Sequence, residues 1–184
     1  MNKETAIGKK ENHSRVLNRL TRSTSASIIL FIVVFGFVLT LVSEKFFSAY
    51  NIGIMLRQMS FFGIAALGQT LVLIIGGIDL SVGATAGLGG ILFAYFMVRM
   101  GFPPVVSILM TLAIGGLIGF VNGLITTKFK LGPFIVTLAT GVIITGVILG
   151  ITQGSTISGI TGNVLFLGQG MLGVVPVPIL IFIL

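Results

Sequence analysis

The chain has 184 residues, of which 55% are hydrophobic and only 8% are charged. An average soluble domain carries about 25% charged residues, and a folded chain of this size still exposes much of its surface. This composition therefore excludes a water-soluble globular domain and predicts a protein that folds in lipid.

The chain is basic, with eleven Lys and Arg against four Asp and Glu and a formal net charge of +7. Six of the basic residues lie in the first 25 positions, beside an apolar run rather than on a folded basic face. We interpret them as a topology signal with affinity for anionic membrane lipid, not as a nucleic-acid site. The chain has no Cys, which excludes thiolate metal sites, and its single histidine, His13, is predicted to be solvated.

The first span is predicted at 26–43, which follows the basic tail 1–25 and carries no charge. At a rise of 1.5 Å per residue, a helix needs about 20 apolar residues to cross the hydrocarbon core. The apolar run is followed by Ser43-Glu44-Lys45 rather than by a small-residue cleavage site. We therefore predict a retained membrane helix instead of a cleaved signal peptide.

Two further spans are predicted between Arg57 and Arg99, where 41 residues carry a single charge, that of Asp79. At helical rise this stretch is about twice as long as one bilayer is thick, so the chain must reverse within it. The reversal is predicted at 76–83, GGIDLSVG, because glycines permit the turn and Asp or Ser can cap the next helix. The two spans are therefore predicted at 59–77 and 82–99.

The fourth and fifth spans are predicted at 105–125 and 133–151, each with a proline at its start, where proline is well tolerated. The short basic loop 126–132 separates them. Residues 152–175 are rich in Gly, Ser and Thr and carry no charge, which predicts an extramembrane or re-entrant loop. A sixth span is predicted to start at 176.

These spans predict an all-α fold: a polytopic transmembrane helical bundle over residues 26–184, with five complete spans and the start of a sixth. The apolar run after 176 has only eight or nine residues, which are too few to cross a bilayer as a helix. We therefore expect the chain to be a fragment of a longer protein.

The basic residues also predict the orientation of the spans, because cytoplasmic loops carry an excess of Lys and Arg. With the N-terminus inside, eight basic residues face the cytoplasm, six from the tail and two from the 126–132 loop. Three face outward: Lys45, Arg57 and Arg99. We therefore expect a cytoplasmic N-terminus, a cytoplasmic Asp79 turn and an outward-facing 152–175 loop.

Glycine accounts for 26 of the 184 residues, about twice its usual share. Small residues allow helices to approach closely within lipid. Glycines at a spacing of four share a helix face in the third and fourth spans: Gly83 and Gly87, then Gly115, Gly119 and Gly123. Such pairs also arise by chance at this glycine content, but the row of three predicts a packed seam that Leu or Ile at position 119 would disrupt.

Five polar residues are candidates for a substrate pathway or its gate: Gln69, Thr70, Asp79, Ser81 and Asn122. An ionisable residue such as Asp79 is costly within a membrane and usually functional. Its position in a turn equally allows it to cap the following helix, as does that of Ser81. Gln69 and Thr70 lie mid-span, where they can bond across helices or line a watery path, and Asn122 is interpreted as an interhelical bond or a helix-end cap.

Three stretches occur in a characteristic order. Residues 51–83 are NIGIMLRQMSFFGIAALGQTLVLIIGGIDLSVG, residues 115–140 are GGLIGFVNGLITTKFKLGPFIVTLAT, and residues 153–159 are QGSTISG. In this order and spacing, GGIDLSVG, the NG before a short loop and the PFIVTL helix start resemble the permeases of bacterial ABC importers for ribose and related monosaccharides. The resemblance extends over nearly the whole chain after residue 45.

This resemblance implies a fold and a set of partners. It implies that the spans belong to a permease of about ten spans in the bacterial inner membrane. It also implies a second permease subunit, a cytoplasmic ATP-binding subunit and an extracytoplasmic sugar-binding protein. The family's main loop for docking the ATPase follows the sixth span, beyond the residues of this sequence.

Two other classes remain open from the residues alone: a self-contained channel or secondary transporter, and a non-transporting membrane scaffold. A coupled carrier is expected to show more intramembrane ionisable residues and an inverted repeat, whereas this sequence shows only Asp79 and no evident repeat. No catalytic residues, phosphate-binding loop, cofactor site or metal-ligand set is evident. An enzyme is therefore the least favoured class, and any ATP hydrolysis is assigned to a partner subunit.

Overall fold

A computed structural model of the chain describes residues 24–162, 164–173 and 175–184. The predicted basic tail lies outside the described residues up to residue 23, and His13 lies outside them with it. The chain divides into two compact units, residues 1–52 and residues 53–184. The second unit contains every predicted pathway residue.

Five long helices dominate the described residues. They are α1 (Thr24–Val42), α2 (Ala49–Ile74), α3 (Val82–Ala94, continued by a π-helical turn at Tyr95–Arg99), α4 (Pro104–Lys128) and α5 (Pro133–Thr152). All five are long and apolar enough to cross a membrane by length and composition. The predicted fold class, a polytopic helical membrane protein with five complete spans, is confirmed.

The chain after α5 contains short elements. Helix α6 (Val164–Gln169) leads into an antiparallel pair, β1 (Met171–Leu172) and β2 (Val175–Pro176), and then into α7 (Val177–Ile183). The segment predicted as the loop 152–175 therefore holds one turn-length helix and a small hairpin. The ring of Phe182 in α7 lies against α2 at Gly63, where a Cβ would come within 2.6 Å of it.

Helix α2 differs from the span predicted at 59–77, because it starts ten residues earlier, at Ala49. The added turns contain Asn51, Arg57 and Gln58, whose polarity kept them out of a span predicted by hydropathy. A helix can nevertheless continue beyond the apolar part of its sequence, because its backbone hydrogen bonds are made within the helix itself.

The C-terminal end of α2 is set by two glycines. Gly76 adopts a left-handed backbone with φ +81. Its N–H donates to the Leu73 carbonyl at 2.9 Å, and the N–H of Gly77 donates to the Val72 carbonyl at 3.0 Å. These two bonds are those of a Schellman motif, which ends a helix and satisfies its last carbonyls. The helix therefore stops at Ile74, at the reversal that GGIDLSVG predicted.

The most deeply buried side chains include an unusual share of polar ones. Helix α3 packs between α4 and α5. Five polar residues of the described chain are at most 5% exposed: Ser60, Ser81, Ser107, Asn122 and Thr137. Large apolar side chains on the same helices are exposed, among them Phe62, Leu112 and Ile143. This arrangement suits lipid as the solvent, because lipid accepts apolar surface and offers no hydrogen bonds.

We expect Gly76→Ala to lower the stability of the protein by roughly 1 kcal/mol, because a side chain disfavours the left-handed backbone that ends α2. Gly90→Ala is the matched control. Gly90 lies inside α3 with open space around its Cβ position, so alanine should leave stability unchanged or raise it. The measurement is the thermal unfolding midpoint of each variant in detergent, and equal midpoints would contradict the Schellman assignment.

Candidate functional site

The 75–81 segment between α2 and α3 runs beside the last turns of α4. Ser81, at the start of α3, accepts a hydrogen bond of 3.2 Å from the Asn122 amide of α4. Helix α4 continues for six residues beyond Asn122, to Lys128. At helical rise, this places Ser81 about 9 Å inside the end of α4, whereas Ile75 and Gly77 line a cavity with Thr126 and Thr127 of its last turn. Where non-helical backbone lies within the hydrocarbon, its polar groups must be satisfied by the protein.

Polar side chains from α2 and α5 satisfy the backbone of this segment. The Gln69 amide, oriented by its hydrogen-bond partners, donates to the Asp79 carbonyl at 3.1 Å and accepts from the Asp79 N–H at 3.2 Å. The Thr137 hydroxyl accepts from the Leu80 N–H at 3.0 Å and lies 3.3 Å from the Ile78 carbonyl. Two helices thus hold the backbone where the chain is not helical.

A continuous chain of hydrogen bonds leads from Asp79 to α5. The Asp79 Oδ1 accepts from the Ser81 N–H at 2.7 Å and from the Ser81 hydroxyl at 2.6 Å. The Asn122 Nδ2 donates to the Ser81 Oγ, and the Asn122 Oδ1 accepts from the Thr140 hydroxyl at 2.6 Å. Because such networks polarise their members in a low dielectric, the carboxylate, the amide and both hydroxyls act as one unit.

The structure brings four of the five predicted pathway residues together: Gln69, Asp79, Ser81 and Asn122. Thr70 does not join them, because its hydroxyl donates at 2.7 Å to the Ala66 carbonyl of its own helix. The interpretation of Asn122 as an interhelical bond agrees with its two bonds to α3 and α5. Whether any of these residues contacts a substrate stays a prediction.

The structure treats the two predictions of a cap for α3, at Ser81 and at Asp79, differently. Ser81 occupies the N-cap position, but its side chain makes no capping hydrogen bond. That interpretation is wrong, because the Ser81 Oγ accepts from the Asn122 amide rather than from a backbone N–H of α3. Asp79 holds the turn immediately before α3 through the Ser81 N–H, and it also lines two cavities. Its structural role is therefore visible, and its role as a gate stays a prediction.

Thr137 and Thr140 were missing from the predicted site. They lie three residues apart at the start of α5, in the PFIVTLAT stretch, and are therefore neighbours on one helix face. Thr137 is 5% exposed. That spacing in an apolar helix start is the only feature of the sequence that indicates them.

Two cavities follow one another along α4, and Asp79 and Gly119 line both of them. The larger has a volume of about 530 Å³ and lies against Phe61 of α2 and Thr85 of α3. The smaller has a volume of about 380 Å³ and extends past Asn122 towards the end of α4. The hydrogen-bonded chain of Asp79, Ser81, Asn122 and Thr140, here called the Asp79 network, therefore lies where the two cavities come closest along the helix.

The predicted glycine seam of α4 lines these cavities. A Cβ at Gly115, Gly119 or Gly123 would have no atom within 4 Å among the described residues, and the same holds for Gly83. Gly87 differs, because a Cβ there would lie 3.7 Å from Ile148 of α5, an ordinary contact. Within the described chain the row creates space rather than a contact, and a packed seam with another helix stays a prediction.

Apolar helices, buried polar groups and a helix break held inside the bundle define a multi-pass helical membrane protein. Residues 51–184 match the family described as the permease component of branched-chain amino acid transport systems. The chain belongs to this family.

Several curated proteins are similar to the chain. It is 42% identical to the fructose import permease of Rhizobium meliloti over 60% of this chain and 30% of that protein. It is 39% identical to the xylose transport system permease of Haemophilus influenzae, over 79% and 39% respectively. It is 40% identical to the ribose import permease of Bacillus subtilis, over 84% and 48%. The chain thus spans less than half the length of these relatives, and no solved structure matches it.

We expect Thr137→Val to destabilise the protein by about 1 kcal/mol, because it leaves the part-buried Leu80 N–H without its acceptor. Thr145→Val is the matched control on the same helix. The Thr145 hydroxyl is exposed and, among the described residues, bonds only the Gly141 carbonyl, so its loss should change stability by less than about 0.5 kcal/mol. Thermal unfolding of both variants in detergent checks this. An unchanged unfolding midpoint in Thr137→Val would show that the 75–81 segment does not depend on α5.

Proposed function

We propose that the chain is the membrane-spanning permease component of an ATP-driven import system for a ribose-like monosaccharide, and that it forms part of the translocation pathway. The observation that carries the proposal is the identity of 39–42% to permeases named for fructose, xylose and ribose. These three substrates share the chemistry of a small neutral polyol. The proposal therefore names that class and not one sugar.

The cavities along α4 support a pathway for such a molecule. A sugar that leaves water needs replacement hydrogen bonds, because an unpaired polar group is costly in an apolar environment. The hydroxyls of Thr85 and Thr111, which line the larger cavity, are buried and have no hydrogen-bond partner among the described residues. Together with Asp79 and Ser81, they offer polar groups to a passing hydroxyl or to water. In this proposal, the Asp79 network separates the two cavities and gates the path between them.

The proposed system needs partners. A cytoplasmic ATP-binding subunit supplies the energy, an extracytoplasmic sugar-binding protein delivers the substrate, and a second permease subunit completes the pathway. A self-contained carrier or a scaffold is less favoured, because the matching family is described as one component of a transport system.

We further propose a bacterial inner-membrane location with a cytoplasmic N-terminus. The excess of basic residues supports this orientation, since it puts Lys128 and Lys130 inside and Arg99 outside. The Asp79 segment then lies near the cytoplasmic end of the bundle, and residues 152–157 lie at its outer end.

Disruption of the gene in its own host should abolish uptake of at least one of radiolabelled ribose, xylose and fructose, and the intact gene should restore it. Uptake driven by ATP should fail when arsenate depletes ATP and should persist when a protonophore collapses the proton gradient while ATP remains. Unchanged uptake of all three sugars would overturn the proposal. Loss of uptake with the protonophore alone would instead favour a secondary transporter.

The orientation is tested with single cysteines, because the chain has none of its own. In intact cells whose outer barrier has been removed, a membrane-impermeant maleimide should label Ser155→Cys rapidly. The same reagent should label Lys128→Cys only after the membrane is opened. The reverse pattern would invert the proposed topology.

A further inference from the structure

A third cavity, of about 400 Å³, lies at the end of α3 opposite to Asp79, where the π-helical turn meets the end of α5. Its lining differs from that of the cavities along α4. The polar side chains at its wall are Tyr95, Arg99, Thr152, Gln153, Ser155 and Thr156. Its volume falls within the range of roughly 300–1,000 Å³ that small-molecule sites occupy.

Both walls of this cavity have an irregular backbone. Tyr95 and Arg99 are the first and last residues of the π-helical turn, a conformation that is rare and often found at functional sites. Gln153 ends α5 in a left-handed conformation, with φ 50 and ψ 35. Glycine or asparagine normally occupies such a position. The chain therefore keeps a long amide side chain at the cavity where glycine would be unstrained, and such outliers cluster at ligand sites.

Five of the six polar side chains of the cavity have no hydrogen-bond partner in the described part of the chain. The Thr152 hydroxyl accepts from the Gly154 N–H at 3.3 Å. The side chains of the other five residues make no hydrogen bond to any described residue. Hydroxyl groups and an amide both donate and accept, and the Arg99 guanidinium only donates. The cavity thus offers donors and acceptors together, beside the ring of Tyr95.

We propose that this cavity is a binding subsite for a neutral monosaccharide, separate from the Asp79 network; the inference rests on the proposed sugar-import function. Sugar hydroxyls both donate and accept, which matches the mixed groups of the wall. A simple anion needs donors alone and would leave the acceptors of Gln153 and the hydroxyls unused. The Tyr95 ring supplies an apolar face for the C–H groups of the sugar and a polar tip for its hydroxyls.

Binding can be measured without transport. The chain contains no tryptophan, so Tyr95→Trp in the protein expressed from its complete gene adds a fluorophore at the cavity. The emission of this variant minus that of the parent, both in lipid nanodiscs, should change saturably with ribose, xylose or fructose. In Ile157→Cys, the same sugar should slow maleimide labelling, because Ile157 lines the cavity without being one of its polar groups. This variant provides a second readout if the tryptophan variant does not fold.

Gln153→Gly separates binding from backbone structure. It removes the amide and relieves the left-handed strain, so the thermal unfolding midpoint should stay constant or rise, whereas sugar affinity should fall about tenfold or more. Lys130→Gly is the matched control, because Lys130 is the other non-glycine residue of the described chain with positive φ, at 52. It lies outside the cavity, and its replacement should leave sugar affinity unchanged.

The outcomes distinguish this inference from the proposed function. Saturable binding that Gln153→Gly weakens supports the subsite, whatever the uptake assay gives. The inference is overturned if the sugars cause neither a saturable fluorescence change nor slower labelling. It is also overturned if Gln153→Gly leaves sugar binding unchanged. Both results count against it even where sugar uptake is normal. Saturation by gluconate but by none of the neutral sugars also overturns it, since that result identifies an anion site.

Discussion

The backbone at Asp79 and Leu80 finds its hydrogen-bond partners inside the protein, a requirement wherever non-helical backbone meets lipid, because lipid provides none. The placement of polar side chains on the surrounding helices follows from this requirement. Gln69 pairs with both backbone groups of Asp79, and Thr137 supplies an acceptor for Leu80. Gly76 and Gly77 close the end of α2 with backbone bonds alone. The turn between α2 and α3 is thus held on one side by backbone bonds at the end of α2. On the other side it is held by side chains of α2 and α5.

Several weak hydrogen bonds together fix the position of the 75–81 segment. A single interhelical hydrogen bond within a membrane contributes only about 0.6 kcal/mol on average. The bonds from Asp79 through Ser81 and Asn122 to Thr140 connect the segment to both helices that flank α3. Loss of any member leaves a neighbouring group unpaired, and that penalty exceeds the value of the bond itself. The network is therefore best regarded as one structural unit rather than as separate contacts.

Much of this architecture could be predicted from the sequence, for a physical reason. Apolar length determines where a chain can cross hydrocarbon, and polar residues such as Gln69, Asp79 and Asn122 are conspicuous within apolar runs. Thr137 and Thr140 are not conspicuous, because threonine is common in membrane helices and usually bonds its own helix, as Thr70 and Thr145 do. Only the packing of α5 against the 75–81 segment distinguishes them. The start of α2 was missed because hydropathy measures the solvent that a residue prefers and not the extent of a helix.

The linings of the cavities differ with their position along the helices. Along α4 the chain creates space with Gly115 and Gly119 and adds few polar groups, because an unpaired polar side chain in the hydrocarbon region is costly. Near Arg99 and Gln153, water can satisfy polar groups, so the wall can carry unpaired hydroxyls and an amide without that penalty. Clusters of unpaired polar groups therefore cost least at the ends of the helices. The stretch 152–156, TQGST, carries such a cluster, whereas 111–119, TLAIGGLIG, has one hydroxyl among apolar residues and glycines.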